Sequence, residues 1–98
     1  MSKSIYFIEK SYPFNAHDLS SSFIGGSEKT LINISLELAK IKDFKIKVFN
    51  LTKKNEIINN VEWININNIP LNCNPDFLVA MSDANLLSLI NCKKNFLW

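Results

Sequence analysis

The sequence predicts one α/β domain, a three-layer α/β/α sandwich built on a mostly parallel sheet. Three observations carry this. The runs Ser4 to Ile8 and Asp76 to Met81 are short, apolar and rich in β-formers, as strands buried on both faces are. An amphipathic stretch separates the first run from a second strand pattern, and a strand, helix, strand order favours a parallel return with a right-handed crossover. Both glycines of the chain, Gly25 and Gly26, stand together just ahead of that amphipathic stretch.

The elements follow in order. After the strand Ser4 to Ile8, residues Glu9 to Ile24 form a long polar loop dotted with aromatics, a length that compact domains usually reserve for function. Leu31, Ile34, Leu38 and Ile41 recur at helical spacing, which places one apolar stripe on a helix from about Ser27 to about Ile41. Ser27 can cap that helix, and Glu28 in its first turn suits the dipole. Phe44 to Leu51 alternates apolar and polar residues as a second strand does. Thr52 to Asn60 is polar and ambiguous, with Ile57-Ile58 readable as a turn of helix. Val61, Trp63 and Ile64 to Ile66 give a third strand, and Asn67 to Pro75 a loop. Asp76 to Met81 is a buried strand, Asp83 to Ile90 a short helix capped by Asp83, and Asn95 to Trp98 the start of a last strand.

Composition narrows the function classes. The chain has 98 residues, 47% of them hydrophobic and 20% charged, which fits a single folded domain with a modest core. Its net charge of +2 is spread along the sequence, whereas nucleic-acid binding calls for a clustered basic face; no nucleic-acid partner is expected. Cys73 and Cys92 lie far apart, and with a single histidine in the chain they do not make the four-ligand set of a structural zinc. No metal and no cofactor are expected, and the two cysteines read as reduced thiols. Ile5 to Ile8 is too short for a signal peptide's apolar region, and no run approaches a membrane span. A cytoplasmic location with no membrane span is the resulting expectation.

Gly25-Gly26-Ser27-Glu28 is the segment with chemical content. A helix that starts beside glycines offers unpaired N–H groups and the positive end of its dipole to an anion. The P-loop pattern does not fit, because Phe23 and Glu28 occupy the positions where its glycines are needed. The three-glycine dinucleotide fingerprint does not fit either, since a long loop separates strand from helix.

The combination resembles the N-terminal domain of family 4 glycosyltransferases, retaining enzymes with two facing Rossmann-like domains. The matching pieces are Ser4 to Ile8 with the long loop after it, Gly25-Gly26-Ser27-Glu28 with the helix Leu31 to Ala39, Lys47 to Asn50, Asn60 to Trp63, Pro75 to Ala80, and Phe96-Leu97-Trp98. The resemblance implies a single Rossmann-like domain over residues 1–98, the acceptor-side half of an enzyme that moves sugar from a nucleotide-sugar donor to a sugar or lipid-linked acceptor. By position, Gly25 and Gly26 would lie close to the donor phosphates, and the nucleotide sugar would be held mainly by a C-terminal Rossmann-like domain. The family's N-domain histidine usually follows a strand like Phe96 to Trp98, where this chain ends, so the chain alone is expected to be inactive and to represent the N-terminal part of a longer protein. No residue is assigned a catalytic role.

Tyr12, Phe14 and His17 are candidates for an acceptor-contacting loop: the two aromatics can stack on a sugar, and histidine suits proton transfer. Their plainer roles are loop anchors and a solvated side chain. Trp63 and Trp98 read as core or domain-interface residues. A reading from another class is a non-catalytic flavodoxin-like or receiver-like module binding a small anion or a protein partner. A receiver gathers acidic residues at the ends of its first strands, and Glu9 stands nearly alone there.

Overall fold

A computed structural model describes residues 2–11, 13–22, 24–70 and 72–98, and these described residues form six strands and one α-helix. The strands are β1 (Lys3–Ile8), β2 (Phe44–Asn50), β3 (Glu56–Ile58), β4 (Val61–Asn65), β5 (Phe77–Ala80) and β6 (Asn95–Leu97), and the helix α1 spans Gly26–Ala39. They pair as one sheet in the order β3-β4-β2-β1-β5-β6, parallel throughout except for β3 against β4. The expected neighbours are in place: β1 lies parallel between β2 and β5, with Phe7 opposite Val48 on one side and Val79 on the other.

Two apolar clusters flank the sheet. On one face Leu31 and Ile32 of α1 pack with Phe7, Ile46, Val48, Val61 and Trp63. On the other, Leu86 and Ile90 pack with Ile8, Phe49, Ile64, Leu78 and Ala80. The opposite placement follows from handedness. The β1–α1–β2 crossover and the later β5-to-β6 connection move in opposite directions across the sheet, so a common right-handed sense puts them on opposite faces.

The expected α/β/α sandwich is met on one side only. α1 is a true helix layer, whereas the second face is covered by the 3-10 helix Ala84–Leu89 and by the irregular segment that follows β4. Asp83 caps the 3-10 helix as expected, its side chain accepting from the Asn85 N–H. Six residues are too few to repay nucleation of an α-helix. The segment between β4 and β5 carries Pro70 and Pro75, which interrupt a helix. Between β2 and β4 no helix is needed, because β3 itself makes the return. The expected turn of helix at Ile57-Ile58 is instead this strand, and a two-residue turn at Asn59-Asn60 leads into Val61. Both asparagines have positive φ, 49° and 70°, as a type I′ hairpin turn requires.

α1 also differs in detail from the expected helix. It starts at Gly26 with Gly25 as its N-cap, two residues before the expected Ser27 cap, and it ends before Ile41, which is 47% exposed. Of the expected stripe Leu31 is fully buried and Ile34 and Leu38 are half-buried against the same core, while Ile32 and Ser35 join Leu31 as the fully buried residues and Ile41 falls outside. At about 100° per residue Ser35 lies between Leu31 and Ile32 on the helix surface; its hydroxyl is satisfied by the Ile32 carbonyl at 2.9 Å.

Both cysteines are free thiols, Cys92 buried with its Sγ 3.2 Å from the Pro75 carbonyl. Trp63 is fully buried, whereas Trp98 is half-exposed at the end of the β6 edge. Among the described residues no helix is long and apolar enough to cross a membrane.

Candidate functional site

The chain leaves β1 in opposite directions from those that follow. β1 connects to β2 on one side, and the chain later returns past β1 to place β5 and β6 on the other. Taken in chain order, the parallel strands β4-β2-β1-β5-β6 reproduce the 3-2-1-4-5 order of the doubly wound nucleotide-binding sheet. The order reverses between β1 and β5, and in open parallel sheets ligands bind outside the carboxyl ends of the strands at such a reversal. A crevice of about 160 Å³ opens at that point.

Three segments build it. Glu9, Lys10 and Ser11 come from the end of β1, Ser27 and Glu28 from the first turn of α1, and Met81, Ser82 and Asp83 from the end of β5. Met81 and, from the 3-10 helix Ala84–Leu89, Leu86 give an apolar part; the other lining residues carry carboxylates, hydroxyls and one ammonium. Glu9 is 4% exposed. Its carboxylate accepts from the Ser11 N–H at 3.0 Å and, through its second oxygen, from the Ser11 hydroxyl. Burial pushes the Glu9 carboxyl above the usual carboxylate range; the Ser11 hydrogen bonds pull it back, and the nearby charge of Glu28 adds to the rise.

Glu28 folds back over the helix start. Its Oε1 accepts from the Gly25 N–H at 2.9 Å, half of a capping box, and its Oε2 accepts from the Ser27 hydroxyl at 2.8 Å. The chain's own carboxylate thus meets the positive end of α1. The two glycines differ in consequence. Neither has positive φ, so the turn does not need glycine for its dihedral angles. A Cβ on Gly25 would stand 2.9 Å from the Glu28 carboxylate, whereas one on Gly26 would meet nothing within 4 Å. The open approach to the helix start is therefore over Gly26.

Ser82 completes the β5 side. It has φ of 68°, a left-handed backbone that costs a non-glycine residue energy, and its N–H donates to the Trp98 carbonyl at 2.7 Å. Such strain gathers at ligand sites, where the surrounding structure holds it.

Gly25 and Gly26 immediately precede the lining residues Ser27 and Glu28 but do not line the crevice, and the other candidates from the sequence do not join it. Tyr12 lies outside the described residues. Phe14 is 2% exposed and packs edge-on against Trp63 with ring centroids 5.8 Å apart, so it anchors the loop and is withheld from a sugar. His17 sits on the 3-10 helix Ala16–Asp18, with Nε2 3.5 Å from the Glu56 carboxylate of β3. Asn15 donates to the same Glu56 at 3.1 Å, so the long loop is pinned to the hairpin edge. Glu9, Ser11, Ser82 and Asp83 were not singled out as ligand residues by the sequence. The signal was available only in part: each stands just after an apolar run, but which runs are neighbours is a matter of topology.

Among the described residues no group of three or more His, Cys, Asp or Glu side chains is placed to hold a metal ion. Comparison with protein-family models, with curated proteins and with solved structures finds no match.

Proposed function

We propose that this chain is a Rossmann-like, acceptor-side domain of a glycosyltransferase that moves a sugar from a nucleotide-sugar donor, and that the crevice between β1 and β5 receives the hydroxyls of a sugar. The observation that supports it most is the lining at the strand-order reversal. Carboxylates of Glu9, Glu28 and Asp83 accept hydrogen bonds, the hydroxyls of Ser11, Ser27 and Ser82 both donate and accept, and a polyol needs that mixture. A crevice of about 160 Å³ is below the few hundred Å³ that enclose a whole ligand, which suits one wall of a two-sided cleft. In this reading the donor is held by a second Rossmann-like domain, and its diphosphate approaches the start of α1 from the open side of Gly26.

Titration of the chain with a panel of mono- and disaccharides, read through amide chemical shifts, tests the reading. The expected result is a saturable shift of Ser11, Ser27, Ser82 and Asp83 with at least one sugar, lost in Glu28→Gln. A panel that moves none of these amides would sink the proposal.

A further inference from the structure

β6 closes the sheet at one end, and no described strand pairs with its outer side. Its inner side is taken by β5 and the turn after it. The Lys94 carbonyl accepts from the Leu78 N–H at 3.1 Å, the Trp98 N–H donates to the Ala80 carbonyl at 2.8 Å, and the Trp98 carbonyl accepts from the Ser82 N–H at 2.7 Å. Backbone groups alternate sides along a strand, so the N–H and C=O of Asn95 and Leu97 point away from β5. Proteins commonly blunt such an edge with proline or a charge, and Asn95–Leu97 carries neither. Phe96, Leu97 and the Trp98 that follows are instead 54%, 56% and 47% exposed, and none of the three belongs to either apolar cluster. The register with β5 sets Phe96 beside Val79, on the face that carries α1, and Lys94 shares that face, its Nζ 5.4 Å from the centre of the Phe77 ring. Charge is divided along the strand. Lys93 and Lys94 stand at the amino end, in a hollow with Lys3 and a single carboxylate, that of Asp76. The carboxyl end meets Ser82-Asp83 and the crevice, where three carboxylates face one ammonium.

We infer that two copies of this chain join through β6, antiparallel about a two-fold axis at Phe96, so that one sheet runs across both. Outward N–H and C=O groups call for another strand. An axis at Phe96 places Asn95 of each copy opposite Leu97 of the other, and every outward group of β6 is then used at once. The same register sets the two Phe96 rings opposite each other and Lys94 of each copy opposite Trp98 of the other, an aromatic pair flanked by ammonium–indole pairs. Charge selects the direction. Antiparallel joining lays the lysine-bearing end of each strand against the acidic end of the other, whereas parallel joining lays Lys93 and Lys94 against their own copies. Joining β6 to β3, the other edge of the sheet, is a head-to-tail contact that builds open chains, whereas the β6 pair closes as a dimer. Three apolar side chains fall short of the ~800 Å² that each partner of a stable complex buries, so the dimer is weak, with a dissociation constant of about 0.1 mM.

Sedimentation equilibrium of the chain from about 10 µM to about 1 mM, a range that brackets this constant, is the test, with amide hydrogen exchange followed across the same range. We expect a reversible monomer–dimer equilibrium and no larger species. Exchange at Asn95 and Leu97 should slow as concentration rises, whereas the Trp98 amide, bonded to Ala80, should be protected at every concentration. Leu97→Pro removes one outward donor from each copy and no bond to β5, and should weaken association about tenfold or more. Phe96→Lys sets two ammonium groups opposite each other and should weaken it as well. Both side chains are exposed, so the amide spectrum of β1, β2 and α1 should be unchanged in the two variants. A chain that stays monomeric across the whole range overturns the inference. Growth beyond the dimer overturns it too, in favour of β6 meeting β3. A dimer that neither substitution weakens has its contact elsewhere, and likewise overturns it.

Discussion

Ser82 is a residue at which stability and binding should part. Its left-handed backbone costs energy that glycine would not incur, whereas the residue lines the crevice. Ser82→Gly should therefore stabilise the fold by about 1 kcal/mol in urea unfolding while weakening the sugar-induced shifts. Equal sugar binding in a stabilised variant would reduce Ser82 to a turn residue. Glu9 makes a pH-dependent case. Its carboxyl lies above the usual range chiefly through burial, so the folded chain holds that proton more tightly than the unfolded chain. The sign follows from linkage: stability falls as pH rises from the ordinary glutamate value through the raised one. Glu9→Gln should flatten that slope in unfolding free energies measured from pH ~4 to ~8, and should not destabilise the fold near neutrality. An unchanged slope would show that Glu9 is not the group responsible. Asn50 acts in the opposite way, as support. Fully buried, it donates to the Phe14 carbonyl and accepts from the Thr52 N–H, each at 2.9 Å. Asn50→Ala would remove both hydrogen bonds from the interior and should cost about 2 kcal/mol.

At the scale of elements, what could be read in advance tracks how local the signal is. β1 and β5 were legible because their apolar runs need no context, β2 because its alternation of apolar and polar residues is local, and Asp83 because a cap is chosen by the residues beside it. The stripe of α1 was legible in Leu31, Ile34 and Leu38, but the burial of Ser35 was not, because Ser35 is polar. Only its hydrogen bond to the preceding turn makes it acceptable in the core, and a polarity pattern does not contain that bond. β3 was missed because three residues are too few to show an alternation, although Asn59-Asn60 was the clue. That turn carries its own prediction. With φ of 70° at Asn60, Asn60→Gly should leave stability unchanged or raise it slightly, whereas Asn60→Val should cost about 1 to 2 kcal/mol. Equal effects of the two substitutions in urea unfolding would mean that the hairpin does not depend on a type I′ geometry. The crevice was legible only through its α1 wall, Ser27 and Glu28, which follow the glycine pair. Its other walls are brought together by the strand order, with Glu9 and Asp83 separated by more than seventy residues of sequence.

For the molecule as a whole, the arrangement of strands decides where chemistry can happen. Reversal of strand order between β1 and β5 leaves the carboxyl ends of two adjacent strands uncovered by a crossover, and the crevice opens on that edge. On the reading proposed above the crevice is one wall only, and sugar transfer needs groups fixed on both sides of donor and acceptor. The chain by itself should show no turnover with any nucleotide sugar, and measurable transfer by it would contradict the two-sided reading. The decisive test joins the helix start to that reading. A Cβ on Gly26 enters open space, so Gly26→Val should change unfolding free energy by no more than about 0.5 kcal/mol, since valine is no worse a helix former than glycine. If the donor diphosphate approaches over Gly26, the branched side chain stands in its path. In an enzyme completed by its donor domain, turnover should then fall by about 10²-fold, the scale attached to small misplacements of a bound group. Full turnover per folded molecule would remove the phosphate from the start of α1. The Glu28 carboxylate would then be the only anion that this helix end was built to meet.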